Sequence, residues 1–491
     1  MEGSSTSTLS QRVVRGGLWM LGLRVANRGL GFVRILILAR LLLPEDFGLI
    51  GIALLATNIL DTFSATGFSS ALIQRGQAGE ELWDTTWLFS LVRGFLLGAI
   101  VFAAAPWVAE FFGRPDALWI IRAIGLTLLL RGLTNPSVVG YIKEMSFQRQ
   151  FGYEIGITVV DAAVAIPLAL IYRSVWALAM GGLAGQAAGV VLSWLIHPMR
   201  VRLRFDRRAF RELYGFGRWI TASNIFNFLL TQGDDILVGR LLGAPALGWY
   251  QMAYRVSNLP ATEIASVISQ VTFPAYAQLQ ESRARVGAAF LRVIRMSTLL
   301  SFPIGALVIL LGPDFTRVIL GPHWVPMIST MQILAIYGLI HSLGASCGPV
   351  FLGLGRANLT AKIQLVKLVI FAATVYPLTK TWGLLGTAGA VAGNAILVNP
   401  VADYLVMREV RGRFLDFLLT LWPPFLISLG MALLVGVVLT WMEGGWPRLV
   451  MGGIVAVIAY LLGIYLFEIR GRLGLMTEVQ TIWREKISHG S

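Results

Sequence analysis

The sequence has almost no cysteine, little histidine and few charges. A single cysteine, Cys347, stands among 491 residues, so no intrachain disulfide can form. The four histidines are scattered, and no Cys/His cluster has the spacing of a metal site. No metal or other cofactor is expected. Asp, Glu, Lys and Arg make up 13% of the chain, well below the roughly 25% of soluble domains. That excludes an ordinary soluble fold. Long polar segments are missing too: the longest, around 198–213, is too short for an extramembrane catalytic domain. Nor does the start read as a cleavable signal peptide, because Met1 to Ser10 is polar and the first apolar segment carries Arg24, Arg28 and Arg34.

What is present is apolarity. Residues of the AVILMFWYC set fill 56% of positions, in runs mostly long enough to cross about 30 Å of hydrocarbon. The expected fold is an all-α membrane protein of about fourteen transmembrane helices. The spans fall near 16–39, 46–72, 86–110, 117–140, 153–172, 175–197, 214–239, 246–272, 288–311, 326–350, 359–379, 382–406, 415–440 and 446–467. Turn signals such as Leu43-Pro44-Glu45-Asp46, Arg114-Pro115-Asp116 and Gly312-Pro313-Asp314 separate them.

The net charge of +14 suggests nucleic acid in a soluble protein, but here it is the loop bias of a membrane protein. Alternate loops hold most of the Lys and Arg, six of them being Arg200, Arg202, Arg204, Arg207, Arg208 and Arg211. The other loops hold one each: Arg40, Arg114, Arg173, Arg240, Arg317, Lys380 and Arg448. Basic loops resist translocation, so both termini are expected in the cytoplasm of a cell inner membrane.

An internal repeat appears when the chain is shifted by 200 residues. Gly17 meets Gly217, Trp19 meets Trp219, Asn27 meets Asn227, Arg40-Leu41-Leu42 meets Arg240-Leu241-Leu242, and Gly48 meets Gly248. Six helices per copy is an even number, so both copies share one orientation, the parallel-repeat plan of transporters. The expected division is an N-lobe at 1–198, a basic interfacial linker at 199–213, a C-lobe at 214–407, two extra helices at 408–467 and an amphipathic tail at 468–491.

Charges inside apolar helices are costly, about 2.5–3.5 kcal/mol each at the bilayer centre, and mark candidate sites. They include Arg24, Arg28, Arg34, Asp61, Arg122, Arg131, Asp161, Asp234, Asp235, Arg255, Glu263, Lys362 and Lys367. At roughly 1.5 Å per residue, Asp61 and Arg131 lie at one depth and are read as a structural ion pair. Asp161 is expected to pair with Arg24 or Arg28, which would leave Arg34 freer for a substrate. Lys367 is expected to face the cavity with Arg24 and add to its positive field. Carboxylates cannot neutralise all these arginines, and the surplus points to an anionic ligand, phosphate suiting the guanidinium fork.

The segments Asn27-Arg28-Gly29-Leu30-Gly31-Phe32-Val33-Arg34 and Leu38-Ala39-Arg40-Leu41-Leu42-Leu43-Pro44-Glu45-Asp46-Phe47-Gly48 resemble the opening of polysaccharide exporters in the multidrug/oligosaccharidyl-lipid/polysaccharide superfamily. The stretches Gly239-Arg240-Leu241-Leu242-Gly243, Leu247-Gly248-Trp249-Tyr250, Ala253-Tyr254-Arg255, Leu259-Pro260 and Phe273-Pro274 look like the second-lobe counterpart. The resemblance covers nearly the whole chain and is nearest to Wzx-type flippases. It implies a polyprenyl (undecaprenyl) diphosphate-linked oligosaccharide as cargo, carried outward by alternating access for exopolysaccharide synthesis. It also implies a cationic cavity, a lipid-tail groove at the last two helices, and a diphosphate site at Arg28, Arg34 and Arg255. A further helix 2 arginine of the related lipid II flippases falls near Asp61 or Thr62 and is absent, which argues against lipid II itself. A cation site in some relatives would involve Asp234 or Asp235. Expected partners are the lipid-linked oligosaccharide, the bilayer, and a polysaccharide polymerase with its assembly proteins. No nucleic acid is expected, and the chain is expected to be a monomer.

Three alternatives compete, one of them a non-transporting scaffold for an assembly complex. A multidrug exporter of the same superfamily usually takes cationic cargo, which suits buried arginines poorly. A membrane glycosyltransferase or polymerase could use Asp234-Asp235 as an acidic motif, but usually needs a large external loop.

Overall fold

Within hydrocarbon each backbone N–H and C=O must bond inside its own segment, so apolar runs joined by short loops fold as helices. The computed structural model describes residues 26–64, 80–140, 147–196, 201–258, 272, 276 and 279–469, and these hold helices and turns with no strand among them. Helix α1 covers residues 26–41, α2 Pro44–Phe63, α3 Glu80–Phe111, α4 Ala117–Leu133, α5 Phe147–Tyr172, α6 Trp176–Ile196, α7 Arg207–Leu242 and α8 residues 244–258. Next come α9, Arg283–Phe315, and α10, Ile328–Gly344, which is followed by a short helix Cys347–Gly353. Ala357–Glu409 is two helices meeting at Gly383, whose φ of 58° and ψ of −135° are not helical. These are α11 (357–382) and α12 (384–409). Helices α13, Phe414–Thr440, and α14, Trp446–Ile469, follow.

Among the described residues, nine stretches are long and apolar enough to cross a membrane. That figure takes Asn358–Glu409 as one and passes over α4, which has 17 residues. Yet the chain reverses at Gly383: Asn394 Nδ2 donates to Lys367 O at 3.0 Å, and the Thr379 and Thr387 hydroxyls are 2.9 Å apart. In one straight helix, residues 367 and 394 would lie about 40 Å apart.

Two compact units divide the chain, Met1–Gly248 and Trp249–Ser491. Packing thus keeps α7 with the first unit, whereas the repeat begins its second copy at 214. In the first unit α3 and α4 run antiparallel through glycines. A Cβ at Gly94 would sit 2.6 Å from Leu128 O, and one at Gly132 2.7 Å from Ser90 O. Small residues let these backbones touch where no hydrophobic force drives helices together. Gly181, Gly185 and Gly189 do the same for α6 against Asp161, Ile157 and Tyr153 of α5.

The turn into α2 also follows from its residues. Pro44 presets the first helical φ, and the Asp46 carboxylate accepts from Leu43 N at 2.9 Å. Residues 44–48 then pack on 244–248. A Cβ on Gly48 would meet Ala244 O at 1.7 Å, and a Cβ on Gly248 would meet Pro44 O at 1.9 Å. The 200-residue shift carries one contact onto the other, so these equivalent turns touch in a self-complementary way.

In the second unit, α13 and α14 pack on α9 through Leu311, Met431, Val435, Leu439 and Ala456. Buried Asp314 pairs with Arg448 at 3.3 Å, and Tyr460 donates its hydroxyl to Leu299 O. Leu433, Val437, Val457, Ile458 and Leu461 stay exposed, as side chains facing lipid tails do.

Some helix starts differ from the expectation. Helix α5 is already helical at Phe147, ahead of the expected 153, and α7 begins at Arg207 instead of 214. Residues 207–213, expected in the linker, are therefore helical. Ahead of them Asp84 accepts from Arg202 N at 2.7 Å and Thr85 Oγ1 from Asp206 N at 3.1 Å, so residues 201–206 are tied to the start of α3. The tail beyond Ile469 lies outside the described residues, as do Arg24, Glu263, Leu259-Pro260 and Phe273-Pro274.

Candidate functional site

In the first unit α1 and α5 are joined by polar side chains. Asn27 Nδ2 donates to Glu154 at 3.2 Å, and Arg34 Nη2 donates to Asp161 Oδ1 at 2.5 Å. Both pairs are separated by 127 residues, and a constant difference means that the two helices run parallel. Thr158 also donates to Asn27 at 3.0 Å. The Arg34–Asp161 pair is mostly enclosed, with side chains 14% and 21% exposed. Glycine makes room for it: a Cβ at Gly181 would lie 2.6 Å from the Asp161 carboxylate.

The partner of Asp161 is therefore Arg34, which corrects the expected pairing with Arg24 or Arg28. The error came from counting depth inward from residue 153. With the chain already helical at Phe147, Asp161 lies at least about 9 Å further along the helix, past the level of Arg28 and toward that of Arg34. Arg34 is thus not free of a carboxylate, though its buried Nε has no hydrogen-bond partner among the described residues. Arg28, earlier on α1, is exposed.

A second cluster joins α2, α3 and α4. Asp61 accepts from Arg131 Nη1 at 2.9 Å and from Arg93 Nη2 at 2.5 Å. Arg93 also donates to Asp61 O at 2.6 Å and to Ser64 Oγ at 3.1 Å. One carboxylate therefore serves two guanidiniums. The sequence reading passed over Arg93, although the rule that singled out Arg131 applies to any charge well inside an apolar span. Arg122 instead lies over the rings of Phe102 and Trp119, at 4.4 and 4.8 Å from their centroids.

At the far ends of these helices, Arg114 clasps Asp116 and Glu45. The Arg114 hydrogen bonds hold the Asp116 carboxyl below its ordinary range, and the two acids push the guanidinium up.

The second unit holds a buried group that the sequence reading did not anticipate. Cys347 Sγ donates to Asp403 Oδ1 at 3.0 Å, both residues being buried. The Lys367 ammonium acts electrostatically on Asp403 and His341. Asp403 escaped notice because it sits near the end of its span, where a carboxylate costs little. Arg255 is exposed on α8. Asp234 and Asp235, back in the first unit near the end of α7, are buried, and Asp235 N donates to Asp234 Oδ1 at 3.1 Å. No group of three or more His, Cys, Asp or Glu residues suited to a metal ion occurs among the described residues.

These helices with buried arginines can be set beside known proteins. The family described as polysaccharide biosynthesis protein matches residues 37–329, more than half of the chain. The chain belongs to that family. It is 25% identical to the lipopolysaccharide biosynthesis protein WzxC of Escherichia coli over 86% of each chain. It is 24% identical to the succinoglycan biosynthesis transport protein ExoT of Rhizobium meliloti, over 87% of this chain and 86% of the other. Among solved structures, the lipid II flippase MurJ in its inward closed conformation aligns with a TM-score of 0.74 and 13% identity. That alignment covers 92% of this chain and 98% of MurJ, a likeness of fold. The chain is a multi-pass membrane protein.

Proposed function

We propose that the protein is a flippase carrying a polyprenyl diphosphate-linked oligosaccharide from the cytoplasmic to the outer leaflet of a cell inner membrane, by alternating access, for exopolysaccharide synthesis. The observation that carries this reading is the family match, joined to near-full-length similarity to WzxC and ExoT. The chemistry agrees with it: a phosphate-bearing cargo calls for guanidiniums held inside an apolar frame, and Arg28 and Arg34 lie within α1. In this reading Arg28, Arg34 and Arg255 bind the diphosphate, and Asp161 orients Arg34 instead of neutralising it fully. Arg24 and Lys367 add positive field. Asp61 and Arg131 brace the first lobe. Asp234 or Asp235 is the candidate for cation coupling. Helices α13 and α14, apolar on their outer faces, take the lipid tail. Both termini face the cytoplasm, the chain works as a monomer, and a polymerase consumes the flipped unit.

Deleting the gene from its native strain should stop polysaccharide export and leave lipid-linked oligosaccharide on the inner leaflet. Complementation with the Arg28→Ala, Arg34→Ala double variant, at normal protein level, should not restore export. Full export by that variant would remove these residues from the site.

A further inference from the structure

The Asp61 cluster carries one more positive charge than it neutralises, and its geometry says where that charge points. Arg131 continues the stripe Ile120, Ile124, Thr127 on α4, three residues that are all buried. Trp119 and Leu126, which are 60% and 52% exposed, mark the other side of that helix as its lipid face. Arg93 likewise lies in line with buried Thr86 and Leu97 of α3, away from exposed Val92, Phe95 and Leu96. Both arginines therefore leave their helices on the inward sectors. Even so, the Arg131 side chain is 47% exposed, against 24% for Arg93 and 30% for Asp61. Arg131 stands in the last turn of α4, so this exposure lies at the helix end, on the sector away from the lipid face.

The hydrogen bonds divide the labour. Arg93 is occupied by the Asp61 carboxylate, the Asp61 carbonyl and Ser64. Arg131 spends Nη1 on Asp61 Oδ2 at 2.9 Å. A guanidinium carries five N–H donors in a fixed fork, and two of them can clasp a carboxylate or phosphate. Asp61 steadies that fork without cancelling its charge, since it is shared with Arg93.

We infer that Arg131, steadied by Asp61 and Arg93, is an anion subsite for an acidic group, a carboxylate or phosphate, on the glycan of the transported lipid. The inference rests on the flippase reading and adds a determinant of which glycan is carried. Arg131 lies near the end of α4 that the loop charges assign to the cytoplasmic side, where the glycan enters.

The test uses the full-length protein in liposomes and two polyprenyl diphosphate oligosaccharides that differ only in one sugar, galacturonate against galactose. The readout is the ratio of their flipping rates. The wild type should favour the acidic lipid, and Arg131→Gln should lower the ratio about ten-fold, the worth of one charge-assisted hydrogen bond. Arg131→Lys should retain part of the preference. A variant that is merely damaged slows both lipids and leaves the ratio unchanged, and an unchanged ratio overturns the inference. A wild type that moves neither lipid sinks the flippase reading, and this inference with it. Repeating the assay without phosphatidylglycerol separates the two sources of anion. A ratio effect that persists assigns the site to the glycan. An effect that vanishes assigns it to a lipid headgroup and overturns the glycan assignment.

Discussion

The Arg34–Asp161 pair offers the sharpest energetic prediction. Arg34→Ala leaves an enclosed carboxylate without its cation, and Asp161→Asn leaves an enclosed cation without its carboxylate. Removing one partner of a fully buried pair costs about 3–5 kcal/mol. Here the side chains are 14% and 21% exposed, so water reaches them in part. The lower scale of a hydrogen bond to a charged group applies, about 2 kcal/mol for each single variant. The double variant Arg34→Met, Asp161→Leu removes both charges and keeps volume, and should recover most of that loss. The single variants Arg34→Met and Asp161→Leu close the cycle with that double variant; at about 2 kcal/mol each, with most of the summed loss regained, the coupling should be about 3 kcal/mol. Equilibrium unfolding in mixed detergent micelles, followed by tryptophan fluorescence, measures it. If the double variant regains stability yet does not flip lipid, Arg34 has a role in transport beyond bracing α1 on α5. A coupling within about 0.5 kcal/mol of zero would refute the pairing as an energetic link.

Three further expectations are open to measurement. Gly48→Ala and Gly248→Ala each place a methyl group on a carbonyl oxygen less than 2 Å away. Each should cost about 2 kcal/mol by overpacking, with the two effects less than additive because they force apart one contact. Thermal unfolding of the two single variants and the pair checks this. Asp116 titrates below its ordinary value of 3.8, so its contribution to stability is full above that pH and is lost as pH falls through the lowered value. The melting difference between wild type and Asp116→Asn should then be constant from pH 7 to about 4.5 and shrink only below pH 3.8. Finally, an inside-negative potential of about 150 mV favours outward movement of two negative charges by roughly 7 kcal/mol. Flipping should therefore quicken when valinomycin and a potassium gradient impose that potential, and an unchanged rate would exclude potential as the driving force.

Helices and turns were legible from apolar run lengths and breakers because hydrocarbon leaves the backbone no other way to satisfy its polar groups. The α11–α12 reversal falls at Gly383, two residues past the gap left by the spans 359–379 and 382–406. Helix starts on the loop side were less legible. Phe147 and Arg207 are already helical among polar residues, where hydropathy has dropped but the backbone still coils. That error set Asp161 too near the helix start and favoured partners earlier on α1, whereas the partner is Arg34. The same depth argument placed Asp61 level with Arg131, and the two side chains are 2.9 Å apart. What no one-dimensional pattern could show is the sharing of Asp61 with Arg93, or the approach of Cys347 to Asp403, since both depend on how helices rotate about their own axes. The repeat-related contact of Gly48 and Gly248 was visible as matching residues, but not as touching backbones.

The central claim is movement of a diphosphate-linked glycan across a bilayer by this chain alone. Purified protein in liposomes loaded with a fluorescent polyprenyl diphosphate oligosaccharide tests it, with dithionite quenching the label that reaches the outer leaflet. Protein-free liposomes should lose about half of their fluorescence, the outer-leaflet half. Liposomes containing the protein should lose nearly all of it, and those containing the Arg28→Ala, Arg34→Ala variant only about half. Loss of only half with the wild-type protein, in vesicles shown to hold it folded, would contradict the account.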